Sequence, residues 1–252
     1  MGSEMCIRDR YKSIVTEIVK RQRPKLLVIN ASAFSQGNWN LTDEVYLRKW
    51  IDNMPMSQNK LDTVETIPKN INKDDEEVKD NISDTLYFPL EKYHGNWKDP
   101  EAVYTSFVTR AYMRLSGGGY LKGFYSKTGI TGGRDNLANI GQPTKEAYVL
   151  TDECRAYLKE LLSYCNKLGI EHVLLLQPPH ETQAADKSGL EQIESITKAY
   201  GYDFLDLSTD YESIAGIDDS HDFADFEHLN AYGAKKLTAY IGNMAVNQYG
   251  IK

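Results

Sequence analysis

Two residues near the C-terminal end of the 252-residue chain, Asp225 and His228, have the types and spacing that acid–base chemistry needs. Three positions apart, just before a helical pattern, their side chains come together within one turn. A carboxylate so placed holds an imidazole in one tautomer and stabilises its protonated form. A general base for a hydroxyl nucleophile requires both. On spacing alone, however, the higher-ranked reading is a capping loop with His228 packed against the helix start. Two further readings rank lower. Asp222, Asp225 and His228 make a metal site with one histidine and no second supporting cluster. Asp218 to Asp222 make a calcium loop without the alternating carboxylates or the central glycine.

Ligands of open α/β sheets sit beyond the carboxyl ends of the strands. Three segments are predicted there: Asn30-Ala31-Ser32, Gln177-Pro178-Pro179-His180, and the loop from Ser208 to Asn230. They make Ser32 a candidate nucleophile and Gln177 a candidate substrate-orienting residue, with His180 near the same edge. His94, flanked by Tyr93 and Trp97, either lines an acceptor groove or is a packed surface histidine. His172 and His221 read as structural or exposed, and Ser35 and Ser57 as cap or loop hydroxyls.

The elements that must position these residues are legible from periodicity. Ile14, Val15, Ile18 and Val19 mark a helix from Tyr11 to Gln22, stopped by Pro24, and Leu26 to Ile29 is a short buried strand. A helix follows from Thr42 through Ile51 to Pro55, and 57–67 is weakly helical. Pro68 to Asp84 is a polar, solvated stretch. Asp99-Pro100 starts a helix that should reach Leu115, and 116–143 is glycine-rich without a clear period. Thr151 or Asp152 caps a helix ending at Gly169, followed by strand 173–176, a helix ending at Gly201, strand 204–207 and a last helix to Gln248. Alternating strands and helices with short links predict a parallel α/β sheet. No repeat or linker divides the chain, so one domain over 11–252 is expected, with an irregular insertion at 68–143.

Composition narrows the classes. Apolar residues are 41% and charged residues 26%, and 29 basic against 36 acidic residues leave a formal net charge of −7. With no basic block, nucleic acid is not expected as a partner. The 17 tyrosines suit a core first and a carbohydrate-contacting surface second. Cys154 and Cys165 lie eleven residues apart on one helix, about 16 Å, too far for a disulfide, and read as buried small hydrophobes. Residues 1–10, with Met-Cys-Ile-Arg-Asp-Arg, resemble the translation of a library-preparation adapter and are expected to be an artefact outside the fold.

The block Asp222-Phe-Ala-Asp225-Phe-Glu-His228-Leu-Asn230-Ala-Tyr-Gly233-Ala resembles the terminal block of bacterial SGNH/GDSL-type hydrolases, in which Asp-x-x-His precedes Leu-Asn and Gly-Ala at the start of the last helix. Pro24-Lys25 with strand 26–29, Phe88-Pro89-Leu90 with Tyr93-His94 and Trp97, and strand 173–176 ending in proline agree in order. The similarity is closest to the accessory proteins of lipoteichoic-acid D-alanylation and of polysaccharide O-acetylation. It implies a flavodoxin-like three-layer α/β sandwich and a Ser-His-Asp triad, with Asp225 orienting His228. It also implies a carbohydrate or cell-wall polymer as substrate, a membrane-bound O-acyltransferase as partner, an extracytoplasmic and membrane-anchored protein, and no cofactor. The family's nucleophile follows the first strand in a Gly-x-Ser context. Here no glycine precedes Ser32, so an upstream segment carrying the strand, the serine and an anchor is the favoured expectation, with Ser32 as the alternative. A non-catalytic glycan-binding protein on the same fold is the rival reading.

Overall fold

The computed structural model describes residues 11–35, 51, 54–66, 99–115, 129–130, 149–179, 187–224 and 228–251. It is mixed α/β and divides into two compact units, one of residues 40–126 and one formed by the rest.

The larger unit is built on three parallel strands in the order β1-β2-β3: β1 (Leu26–Asn30), β2 (His172–Gln177) and β3 (Asp203–Asp206). The register aligns Ile29 with Leu175 and Asn30 with Leu176 on one side, and Leu175 with Phe204 and Gln177 with Asp206 on the other. The ladder runs one step past β1, where the Ala31 N–H donates to the Leu176 carbonyl at 2.8 Å. β2, flanked on both sides, is apolar throughout its middle and buried from Val173 to Gln177, as a central parallel strand must be.

Side chains alternate between the two faces of the sheet. Ile29, Val173 and Leu175 belong to a core made with α1 (Tyr11–Arg21), α5 (Asp152–Lys167) and α6 (Ser188–Ala199). Here α5 and α6 are counted after α2 (Ser32–Ser35) and, among the described residues of the smaller unit, α3 (Gln58–Thr66) and α4 (Pro100–Leu115). Phe34 of α2 is fully buried in this core, its ring 5.7 Å from that of Tyr11. On the opposite face Leu176 packs with Leu207, Tyr211, Ile217 and Phe223, and with Leu229, Leu237 and Ile241. Apart from Leu207, which directly follows β3, the partners of Leu176 come from α7 (Tyr211–Ala215), α8 (Ala231–Asn247) and the loop between them.

Helix boundaries follow from local chemistry. Thr151 caps α5, its hydroxyl accepting from the Cys154 N–H at 3.2 Å. The glycines after α5 and α6, Gly169 (φ 69°) and Gly201 (φ 80°), take the left-handed conformation that ends a helix. Cys154 and Cys165 are buried on α5, neither in a disulfide. In the smaller unit Asp99 caps α4 by accepting from the Glu101 N–H at 3.0 Å. Ser57 accepts from the Lys60 N–H at the start of α3, the cap role its sequence context predicts. The short helix α7 has no counterpart in the sequence reading. With five residues it is too brief for a periodicity to register.

Candidate functional site around the carboxyl ends of the strands

The loop from Asp218 to Asn230 is fastened by two side chains. Asp222 is fully buried and gathers three donors. Its Oδ2 accepts from the Asp218 N–H at 2.7 Å and from Lys236 Nζ at 2.6 Å, and its Oδ1 accepts from His221 Nδ1 at 2.9 Å. Burial works to raise the Asp222 pKa, but the backbone N–H, the imidazole and the ammonium outweigh it and hold the carboxyl below its usual value. Asp222 is therefore ionised and can only accept, so His221 Nδ1 carries the shared proton.

Asn230 is the second fastener. Its Oδ1 caps α8 by accepting from the Tyr232 and Gly233 N–H groups at 2.9 and 3.1 Å, while its Nδ2 donates to the His221 carbonyl at 2.6 Å. Gly233 lets the first turn of α8 lie against this loop. A Cβ there would stand 2.4 Å from the Asp222 carbonyl oxygen and 2.9 Å from Leu229 Cδ2. Asp222, Asn230 and Gly233 of the Asp222–Ala234 block thus have a structural role: clamp, cap and close approach.

His228 is half-buried, and its carbonyl accepts from the Ala224 N–H at 2.8 Å. Phe223 and Leu229 pair as an antiparallel bridge, and both pack on Leu176. Since Leu176 immediately precedes Gln177, the loop bearing His228 is docked at the carboxyl end of β2. Asp225, the predicted partner of His228, lies outside the described residues, as do His94 and His180.

Ser32 and Gln177 also reach this edge. By register, Gln177 sits in a row between Ala31 and Asp206, and Ser32 is one residue past Ala31. Ser32 is 6% exposed, and its Oγ donates to Asn30 Oδ1 at 2.8 Å. Gln177 is completely buried, and neither its Oε1 nor its Nε2 has a hydrogen-bond partner. A buried orphan amide is costly and needs an explanation.

The structure adds a group that sequence reasoning missed. Lys187 Nζ donates to Ser208 Oγ at 3.0 Å and lies 3.9 Å from Asp206 Oδ2, while Asp206 Oδ1 accepts from the Ser208 N–H at 2.8 Å. Lys187 stands in a polar stretch without periodicity, so only the fold brings it to the end of β3. His221, read as structural or exposed, is exposed and is also the imidazole bonded to a buried carboxylate. The available signal was the adjacent His221-Asp222 pair. Among the described residues no group of histidine, cysteine and carboxylate side chains is arranged to hold a metal, and no helix is long and apolar enough to cross a membrane.

Comparison of the chain with protein-family models, with curated proteins and with solved structures finds no match.

Proposed function

We propose that the chain is a serine-type esterase or O-acyltransferase-like domain of the SGNH/GDSL kind, on a flavodoxin-like sandwich. It acts outside the membrane on acyl groups of an exopolysaccharide or cell-wall polymer, with a membrane-bound O-acyltransferase as partner. The observation that carries the reading is the docking of the His228 loop: Phe223 and Leu229 seat it on Leu176, at the carboxyl end of the central parallel strand. Ligand chemistry gathers at that edge in α/β sheets.

In this reading a serine Oγ attacks the acyl carbonyl carbon while His228 takes the hydroxyl proton. His228 then returns it to the departing sugar oxygen, and Asp225 orients the imidazole. The acyl group passes to water or to an acceptor hydroxyl, from which His228 again takes the proton. The nucleophile is either Ser32 or a serine preceding this chain. Placement supports Ser32; its bond to Asn30 Oδ1 and its low exposure count against it.

The test is hydrolysis of p-nitrophenyl acetate together with labelling by a fluorophosphonate. His228→Ala should cut turnover roughly 10³-fold or more, and mass spectrometry of the labelled chain should place the adduct on Ser32 if that is the nucleophile. Turnover by the wild type with no loss in His228→Ala would refute the assignment. No turnover and no adduct would remove Ser32 as the nucleophile; the same result from the chain extended by its upstream sequence would favour the second reading, a glycan-binding protein, for which the engaged Ser32 hydroxyl already speaks.

A further inference from the structure

We propose that Tyr232 and His221 form a subsite for a neutral pyranose ring of the polymer, an inference that rests on the glycan-directed reading above and names the sugar it takes. The Tyr232 ring, 49% exposed, lies 4.7 Å from the imidazole of His221 at an interplanar angle of 53°. The His221 side chain is itself 47% exposed. Asp222 occupies Nδ1, so Nε2 is left as an acceptor of fixed tautomer pointing away from the carboxylate. An aromatic face beside an outward hydrogen-bond acceptor suits a sugar. The ring's C–H face covers the tyrosine, and a hydroxyl donates to the imidazole.

The platform is rigid because one residue holds both halves. Asn230 caps the helix turn that bears Tyr232 and also binds the His221 carbonyl. Pre-set geometry of this kind lowers the cost of binding. Charge selects the ligand. Asp218, Asp219 and Asp222 stand in the same loop, and the ammonium of Lys236 is committed to Asp222. An anionic sugar is therefore disfavoured there. The Phe223–Leu229 bridge ties His221 and His228 into one loop.

The experiment is a ligand-observed NMR titration of the full chain with cellohexaose and N-acetylchitohexaose, and with hexagalacturonate as the anionic control. The wild type should bind at least one neutral chain and bind hexagalacturonate at least tenfold more weakly. Tyr232→Ala and His221→Ala should each weaken the neutral chain at least tenfold with unchanged amide spectra, and Tyr232→Phe should retain it. Absence of neutral-chain binding by the wild type, binding that survives both alanine substitutions, or equal binding of the uronate overturns the proposal. Turnover of p-nitrophenyl acetate, too small to span both histidines, reports separately on catalysis. A wild type that binds through Tyr232 but hydrolyses nothing keeps the subsite and removes Ser32 as a nucleophile. One that hydrolyses but binds no neutral chain does the opposite.

Discussion

Replacing Gln177 by methionine should make the protein more stable. The two side-chain polar atoms of Gln177 are buried without partners at the end of β2. Each such orphan costs about 1–3 kcal/mol, and removing both with a group of similar length and volume relieves that cost. Methionine's imperfect fit returns up to about 1.5 kcal/mol. The net expectation is a gain of about 2 kcal/mol, or roughly 4–8 °C in Tm for a chain of this size. The backbone carbonyl of Gln177, which accepts from the Leu207 N–H at 3.0 Å, is untouched, so the β2–β3 connection stays intact. Thermal unfolding followed by far-ultraviolet circular dichroism reads the shift directly. Gln177→Glu is the counter-control: it buries a charge and should lower Tm steeply. A Tm for Gln177→Met several degrees below wild type would refute the reasoning, because it would mean that the amide is satisfied in solution. If Tm rises while turnover of an acylated sugar falls, the orphan amide is a group kept for the ligand at the expense of stability.

Four other outcomes follow from the structure. Asp222→Ala leaves the Asp218 N–H unpaired and releases Lys236, whose ammonium is part-exposed and can turn to water, and should cost about 1–3 kcal/mol in denaturant unfolding. The folded-state pKa of Asp222 is lowered, so its contribution to stability is present above the ordinary carboxylate pKa and is lost as pH falls through the folded value. Asp222→Asn should accordingly show a shallower decline in stability below about pH 4 than wild type, measured as Tm against pH. Gly233→Ala drives a methyl against the Asp222 carbonyl and should lose about 1–3 kcal/mol by the same unfolding assay, with reduced turnover because the His228 loop is displaced. Burial pushes the Cys165 thiol up to about 11, so iodoacetamide at pH 8 should leave it unmodified in the native protein and alkylate it in denaturant, read by intact mass.

The strands and long helices of the larger unit were legible because each follows from one strong local signal. The Leu26–Ile29 and Val173–Leu176 runs, the Thr151 and Asn230 caps and the glycines at 169, 201 and 250 are decided within a few residues. The site was legible by placement only. Strand ends nominated Ser32 and Gln177, and the structure seats both at the carboxyl edge. Sequence could not say that Ser32 bonds to Asn30 or that Gln177 has no partner, because those are facts of packing between elements distant in the chain. It also could not single out Asp222. The Asp-x-x-His spacing drew attention to Asp225, whereas burial of Asp222 depends on Lys236 fourteen residues later and on the close approach at Gly233. Lys187 was invisible for the same reason.

The sheet's register has a kinetic consequence. β2 meets β3 across a short interval, Leu174 to Asp203, but it meets β1 across a long one, Leu26 to His172. Loop-closure entropy grows with the logarithm of the interval, which makes the second pairing costlier by about 1.4 kcal/mol, roughly a tenfold smaller chance of encounter. The fastened loop between α7 and α8 packs back on Leu176 of β2 through Phe223 and Leu229, across about 50 residues, again shorter than the β1–β2 interval. The C-terminal half is thus the part suited to condense first, and β1 to join it. Synthesis runs the other way: at about 5–20 residues per second, β1 waits roughly 7–30 s for its partner strand to be made. During that interval the apolar β1 lacks its β2 partner, and Val28, still 40% exposed in the finished fold, is the residue it presents to whatever is near. A strand made long before its partner is where aggregation during expression would begin.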